Sequence, residues 1–250
     1  MAMSWSFRRK ALYYGVAIIV AIIVALAVWK VFFTHTPTCS DGIMNGTELG
    51  IDCGGACSLI CSNTAIAPKV QWARAFSIAS STYTAAAYIQ NLNAGAGARN
   101  VRYSFQLFDD KNVLVVEKTG IVDLPPVRNV PIIESNINVG NREVARTLFS
   151  FSDTPVWIKV TTKQPTLELT QQTLSDDGSR LSAMLVNDSL NDVARVTVAA
   201  VLFDSQGVAR AASKTIIAPL PRKSSKSIYF TWPGGIPDVV RAEMTILPSF

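Results

Sequence analysis

All four cysteines of this 250-residue chain fall within one short segment. They are Cys39, Cys53, Cys57 and Cys61. Outside the cytoplasm, an even number of closely spaced cysteines favours two disulfides, because so short a segment cannot bury enough apolar surface alone. Three pairings are open. A four-cysteine zinc site is the alternative, but the last three cysteines are separated by three residues each time, where zinc sites usually have two.

Carboxylate and amide side chains lie between the first two cysteines, and oxygen is the ligand that calcium prefers. They are Asp41, Asn45, Glu48 and Asp52. With Asp41 as the first position of a calcium-binding loop of about twelve residues, Asp52 takes the last position, but Ile43 occupies the third, where an oxygen donor is usual. The segment therefore offers a candidate site for one structural calcium ion, and we expect no other cofactor. A turn-rich, disulfide-stapled loop that needs no metal is the interpretation we favour.

The segment from Asp41 to Cys57 resembles the motif Asp-Gly-x-x-Asn-Gly-x-Glu-x-x-x-Asp-Cys-Gly-Gly-x-Cys of many bacterial surface proteins. Every fixed position of that motif matches, although it covers less than a tenth of the chain. The resemblance implies an exported, modular protein and brings no particular chemistry with it.

Side chains for catalysis are scarce. The single histidine, His35, precedes the cysteines, so the rest of the chain offers no histidine as a base or a metal ligand. The carboxylate pairs Asp109-Asp110 and Asp176-Asp177 fall at predicted turns, where aspartate is common for conformational reasons. We therefore expect a protein that is not an enzyme.

Trp72, Trp157 and Trp232 have two interpretations. They could stack on sugars, as in carbohydrate-binding sandwiches, although tryptophans more often lie in the core or at its rim. Turn residues directly follow Trp232, so we expect it to be the most exposed of the three.

An apolar stretch near the N-terminus determines where the rest of the chain works. Basic residues 8–10 precede residues 11–33, which carry one charge, at Lys30. A helix of that length is about 34 Å long, enough to cross a hydrocarbon core of about 30 Å. The positive-inside rule places residues 1–10 in the cytoplasm. Cleavage after Ala27 as a signal peptide is the alternative, but it would leave an apolar new N-terminus.

Ala17, Ala21 and Ala25 recur at every fourth position of this stretch and therefore share one helix face. Small residues in such a row let a second transmembrane helix approach closely. The row is a candidate helix-packing face that would support a homo-oligomer. The alternative is that alanine is simply common in such spans.

The net charge of +5 suggests nucleic acid at first sight. Four of the 23 basic residues flank or lie in the apolar stretch, which leaves 19 basic and 18 acidic residues in the remainder. No basic stripe remains for phosphate contacts, so we expect no nucleic-acid partner.

The region after the cysteines contains two related copies at an offset of 95 or 96 residues. The matches are Asn91 with Asn187, Val101 with Val196, Leu107-Phe108-Asp109 with Leu202-Phe203-Asp204, and Leu124-Pro125 with Leu220-Pro221. So constant an offset predicts tandem homologous domains that join near Gln164-Pro165, since solenoid repeats are shorter, about 20 to 50 residues.

Each copy has the period-two alternation of β-strands. Candidate strands are 70–78, 83–90, 101–108, 113–116, 131–138, 144–151, 157–162, 167–173, 181–186, 196–203, 208–211, 228–232 and 239–247. One face of the third candidate carries Val101, Tyr103, Phe105 and Leu107, and the equivalent face of the second copy carries Val196, Val198, Ala200 and Leu202. We expect both faces to point into a core. Short strands with frequent turn signals predict a β-sandwich.

Phe105-Gln106-Leu107-Phe108-Asp109 resembles the Phe-x-Leu-Tyr-Asp signature of the FxLYD domain family, with Phe108 in place of tyrosine. In the second copy Ala200 replaces the leading phenylalanine. Domains of that family resemble immunoglobulin or fibronectin sandwiches on bacterial and archaeal envelope proteins. The resemblance implies a scaffold or interaction role and brings no catalytic residues.

Together these patterns predict a mostly β protein with an N-terminal transmembrane helix, a small disulfide-stapled loop module and two tandem immunoglobulin-like β-sandwich domains. The expected parts are a cytoplasmic tail (1–10), the transmembrane helix (11–33), a cysteine-rich module (34–67) and sandwiches at 68–164 and 165–250. We expect a single-pass, non-enzymatic binding or scaffolding protein of the cell envelope. Its ectodomain would lie outside the cytoplasm and bind a protein or an envelope polymer. The alternatives are an accessory subunit of a larger membrane complex and a carbohydrate-binding or enzymatic ectodomain.

Overall fold

The computed structural model describes residues 5–33, 37–161, 165–248 and 250. This part of the chain contains one α-helix and thirteen β-strands, all paired antiparallel, so the expectation of a mostly β protein is confirmed. The chain divides into two compact units, Met1–Gly55 and Ala56–Phe250. The first unit contains the helix and the second contains all the strands.

The helix α1 spans Trp5–Phe33. Its apolar stretch, Arg9–Lys30, is 22 residues long and none of it is buried. A helix that is apolar on all sides and finds no protein core to pack against is typical of membrane anchors and of signal sequences.

Each strand overlaps one of the thirteen candidate strands, although several begin or end up to eight residues outside the predicted bounds. They are β1 (Lys69–Ala79), β2 (Thr82–Gln90), β3 (Ala96–Phe108), β4 (Leu114–Leu124), β5 (Asn129–Asn138), β6 (Arg146–Phe151), β7 (Trp157–Lys159), β8 (Leu167–Leu174), β9 (Arg180–Asn187), β10 (Val196–Asp204), β11 (Ala209–Ile217), β12 (Ser224–Thr231) and β13 (Val239–Pro248).

Four antiparallel sheets form from these strands, two in each half of the second unit. The first half has the orders β1-β2-β5 and β4-β3-β6, and β7 also pairs with β3. The second half has β12-β9-β8 and β11-β10-β13. The strand order is therefore the same in both halves, with β6 and β7 together in the place of β13. Each half is consistent with a β-sandwich.

Each half has its own apolar core, and the predicted inward faces of β3 and β10 lie in them. The side chains of those two faces are at most 3% exposed: Val101, Tyr103, Phe105, Leu107, Val196, Val198, Ala200 and Leu202. The prediction made from alternation is confirmed, because one face of each strand packs on the opposing sheet.

Repeated asparagines explain why two of the sequence matches recur together. The side-chain amide of Asn91 donates to the carbonyl oxygen of Pro125 at 3.4 Å, and that of Asn187 donates to the carbonyl oxygen of Pro221 at 3.0 Å. Each side-chain oxygen also accepts the backbone N–H two residues later. In both halves a buried asparagine thus ties the end of a strand to a distant loop.

Repeated aspartates form the turns between β3 and β4 and between β10 and β11. The Oδ1 atoms of Asp109 and Asp204 each accept backbone N–H groups two and four residues later, at 3.0 and 2.8 Å in both halves. Arg142 donates to Asp109 at 2.5 Å, and this hydrogen bond holds the pKa of the carboxyl below its usual range. The predicted turn role of Asp109 is confirmed.

A third buried cluster joins the two halves, and we call it the seam. Its buried members are Ala86, Ile133, Ala199, Val201, Phe203, Ala209 and Ala212. Alternation predicts one buried face for β10, yet Ala199, Val201 and Phe203 on its other face are also buried, at 5% exposure or less. The second half packs there on the sheet β1-β2-β5 of the first. Alanines at the seam let the sheets approach closely.

The end of the predicted cysteine-rich module contacts the first half. The backbone N–H of Ile60 donates to the carbonyl oxygen of Trp157 at 2.9 Å, and the backbone N–H of Lys159 donates to the carbonyl oxygen of Ser58 at 2.7 Å. The side chain of Asn93 exchanges two hydrogen bonds with the backbone of Ile66.

Replacing a seam alanine by a larger residue should lower the free energy of unfolding. Ala86→Leu adds three carbons where the side chain is fully buried, and overpacking of this kind costs about 1–3 kcal/mol. Urea unfolding of the full chain in detergent measures the effect. Ala79→Leu, on an exposed position at the end of β1, is the matched control and should change the midpoint little. Equal midpoints for the two variants would contradict a closely packed seam.

Candidate binding groove

The four cysteines form two disulfides. Cysteines oxidised in this way are not available as zinc ligands, because zinc requires thiolates. Gly55, within the cysteine motif, has φ near +51°, and a Cβ atom there would lie 1.6 Å from the carbonyl oxygen of Thr47. Only glycine therefore fits this position of the motif.

The oxygen donors predicted for calcium hold the loop together. Asp52 accepts the backbone N–H of Gly42 at 3.0 Å, and Glu48 accepts those of Asn45 and Asp52 at 3.3 and 3.2 Å. Asp41 accepts the N–H two residues later and the side-chain amide of Asn45, both at 2.9 Å. Oδ1 of Asn45 is buried and has no hydrogen-bond partner among the described residues. The calcium site stays a prediction.

The sequence singled out other residues as well. Ala17, Ala21 and Ala25 are exposed on α1, and their helix-packing role stays a prediction. His35 lies outside the described residues. Asp177 accepts hydrogen bonds from the Ser175 hydroxyl and from Ser179. These bonds, the one from Ser175 most of all, lower the pKa of Asp177 to about 2.

The three tryptophans differ from the expectation in one respect. Trp157 is buried in the first core, whereas Trp72 is half-buried and stacks on Tyr88 with ring centroids 5.5 Å apart. Trp232 was expected to be exposed, and that prediction was wrong: it is 8% exposed and packs beside Phe230 in the second core. The turn that the sequence predicts after Trp232 is present, since the backbone N–H of Gly235 donates to the carbonyl oxygen of Trp232 at 3.0 Å.

Two adjoining cavities open along the seam, and we call them together the arginine groove. The outer cavity has a volume of about 650 Å³ and the inner one about 250 Å³. Phe76, Arg210 and Ile236 line both. The outer walls come from β1 and β6 of the first half and from β11 of the second. The groove therefore exists only because the two halves pack together.

Three guanidinium groups line the outer cavity. Arg74 lies on the same face of β1 as Trp72 and Phe76, both of which pack against the seam. Arg146 on β6 lies over the ring of Phe108, and Arg210 on β11 is 3.9 Å from Asp204. Of the described residues that line the two cavities, none is acidic. The groove thus concentrates positive charge beside aromatic surface.

A buried donor without a partner belongs to the inner cavity. Trp232 is part of its wall, and the indole Nε1 is buried with no hydrogen-bond partner among the described residues. Leaving a buried N–H unpaired costs about 1–3 kcal/mol. The accessible donors of the groove are those of its arginines, and they favour a ligand rich in acceptors.

Sequence patterns did not predict the groove, but they held one signal for Arg146, a residue of its lining. Arg146 and Arg241 are 95 residues apart, the offset of the other matches. In the second half Arg241 lies over Phe203 at 4.4 Å from its ring centroid, as Arg146 lies over Phe108 at 5.0 Å. These arginines are a fifth matched pair.

Another cavity in the seam has a volume of about 280 Å³, and two of its charged side chains, Lys214 and Glu134, have opposite charges and lie close together. Lys214 lies 4.0 Å from Glu134 and donates to the carbonyl oxygen of Ile133. Tyr103 donates to Glu134, and burial together with this carboxylate raises the pKa of the phenol. Because acid, base and donor satisfy one another here, this cavity offers a charged ligand less than the arginine groove does.

No protein-family model matches this chain, and no curated protein matches its sequence. The FxLYD resemblance stays a prediction.

The hydrogen bond from Tyr88 to Glu243, 3.0 Å long and crossing the seam, should make stability depend on alkaline pH. Burial, and then the nearby Glu243 carboxylate, raise the pKa of Tyr88 from 10.0 to about 12. Since the folded pKa exceeds the unfolded one, this stabilisation is complete below pH 10 and is lost as the pH rises towards 12.

Thermal unfolding of the full chain between pH 9 and 12 measures this effect. Tyr88→Phe should flatten the fall of the midpoint with pH, and absorbance at the phenolate wavelength should show one fewer late-titrating tyrosine. Tyr229→Phe, at a half-exposed position outside the seam, is the control. An unchanged slope in Tyr88→Phe would show that the bond does not couple protonation to the seam.

Proposed function

We propose that this protein is a membrane-anchored, extracytoplasmic binding protein of the cell envelope, without enzymatic activity, that holds an acidic segment of a protein partner. The observation that carries the proposal is the arginine groove. Three arginines and aromatic walls meet in one recess formed by both halves of the second unit.

The chemistry of the groove favours a carboxylate-bearing polypeptide. Guanidinium groups bind carboxylates through paired, charge-assisted hydrogen bonds. Tryptophan, phenylalanine and arginine together are also the residues enriched where protein interfaces are most strongly bound. Trp72 and Phe76 flank Arg74 on one strand face, so an acidic side chain could pair with the cation while its apolar neighbours cover the rings.

Other features support the placement outside the cytoplasm. Two disulfides within so short a segment are typical of exported proteins. The exposed apolar helix α1 has the length of a transmembrane anchor, and basic residues precede it, which favours a cytoplasmic N-terminus. The FxLYD and cysteine-motif resemblances are to proteins of the envelope and cell surface.

The seam supports a scaffold role for the ectodomain. A binding site built from two halves keeps its shape only when those halves do not move independently. The buried cluster and the Tyr88–Glu243 and Lys214–Ile133 hydrogen bonds hold them together. The partner's segment would then meet a preformed site, which lowers the entropy lost on binding.

A charge-reversal experiment tests the proposal. The full chain in nanodiscs is titrated with a fluorescent Glu-rich peptide containing two aromatic residues, and with the same peptide in which lysine replaces glutamate. The Glu-rich peptide should bind, more weakly as salt rises. Arg74→Glu, Arg146→Glu and Arg210→Glu combined should weaken it at least about 100-fold, because like-charge contacts cost several kcal/mol.

The matched control makes the same charge change elsewhere, with Lys118→Glu, Arg222→Glu and Lys226→Glu, all at exposed positions outside the groove. It should bind the Glu-rich peptide nearly as the parent does. The Trp232 indole N–H signal, assigned by its loss in Trp232→Phe, should move on binding. Equal weakening by both triple variants would reduce the effect to net charge and contradict the proposal, as would binding of the lysine peptide.

A further inference from the structure

The cysteine loop of the first unit has its apolar side chains on the outside. Ile43, Met44, Leu49 and Ile51 are each between 52% and 64% exposed, within nine residues of sequence. Isolated exposed apolar residues are ordinary, but clusters of large ones mark contact with a membrane or a protein.

Acidic side chains of the same loop accept hydrogen bonds from the loop's own backbone. Asp52 ties the loop ends together through the N–H of Gly42, and Glu48 ties the turn through the N–H of Asn45. A further carboxylate, Asp41, accepts the N–H two residues later. The carboxylates therefore stabilise the loop backbone while the apolar side chains face outward, the reverse of the usual arrangement in a water-exposed loop.

The position of the loop in the chain identifies what covers its apolar side chains. Cys39 follows the end of α1, Phe33, by six residues, a reach of at most about 20 Å when fully extended. If α1 crosses a bilayer, this loop lies beside the membrane surface from which the helix emerges. Residues 37–57 contain no lysine or arginine, so attraction to anionic headgroups does not contribute.

We infer that the cysteine loop inserts Ile43, Met44, Leu49 and Ile51 into the interfacial region of the outer leaflet, where lipid replaces water around them. This inference rests on the proposed function, because it requires α1 to be a membrane anchor. The loop would act as a second, shallow contact that limits tilting of the ectodomain about the end of the helix. Apolar burial drives the contact, so zwitterionic lipid suffices. Anionic lipid weakens it, because Asp41, Glu48 and Asp52 are the only charged residues of the loop and repel anionic headgroups.

Photolabelling from lipid tests the inference. The full chain is placed in phosphatidylcholine nanodiscs that contain a phosphatidylcholine with a diazirine high on its acyl chain, and cross-linked residues are mapped by mass spectrometry. We expect labels in residues 11–33 and also in 43–51. The exposed apolar residues Leu190 and Val240 of the second unit report the background, and labelling of 43–51 should exceed theirs several-fold. It should fall when phosphatidylglycerol replaces half of the phosphatidylcholine.

Substitution of the four apolar residues by serine provides the matched variant. It should keep both disulfides, checked by mass without reduction, and the labels in 11–33, while losing those in 43–51. Labels in 11–33 alone, with 43–51 at background, would overturn the inference and leave the anchor standing. The absence of labels from 11–33 as well would overturn the anchor itself. Labels in 43–51 that survive the serine variant would show proximity without insertion and would also overturn it.

Discussion

Burial of β2 and β10 on both faces is the constraint on which the second unit depends. One face of each strand closes the core of its own half, and the other meets the opposite half at the seam. Such strands must be small or apolar at nearly every position, as Ala85-Ala86-Ala87 and Ala199-Ala200-Val201 are. Because the alanines let the sheets approach, strands from both halves meet along one edge, and the arginine groove forms there.

The two cavity regions along the seam differ in whether their charged side chains are paired with opposite charges. Where Lys214, Glu134 and Tyr103 meet, a cation, an anion and a donor satisfy one another, and the contact serves to hold the halves. In the arginine groove no acidic residue lines the cavities, and Asp204, 3.9 Å from Arg210, is the one carboxylate paired with these arginines among the described residues. This contrast favours the groove over the neighbouring cavity as the binding site.

The cysteine loop follows a different rule from the strands. It is too short to bury a core, so disulfides and carboxylate-to-backbone hydrogen bonds determine its shape, and its apolar side chains remain outside. Sequence reasoning found the disulfides and the turn chemistry here, because both depend on neighbours within about a dozen residues. It could not find the direction in which the apolar side chains point.

The sequence alone determined whatever depends on local periodicity or on a repeated landmark: the apolar helix, the strands, the inward faces of β3 and β10, and the turns at Asp109 and Asp204. Tertiary structure decided the second buried face of β10, the burial of Trp232 and the meeting of Arg74 with Arg146 and Arg210. The alternation of apolar and polar residues predicts that one face of a strand is buried, but it does not show whether another sheet packs on the opposite face. The groove arginines are up to 136 residues apart, and only the packing of the two halves brings them together.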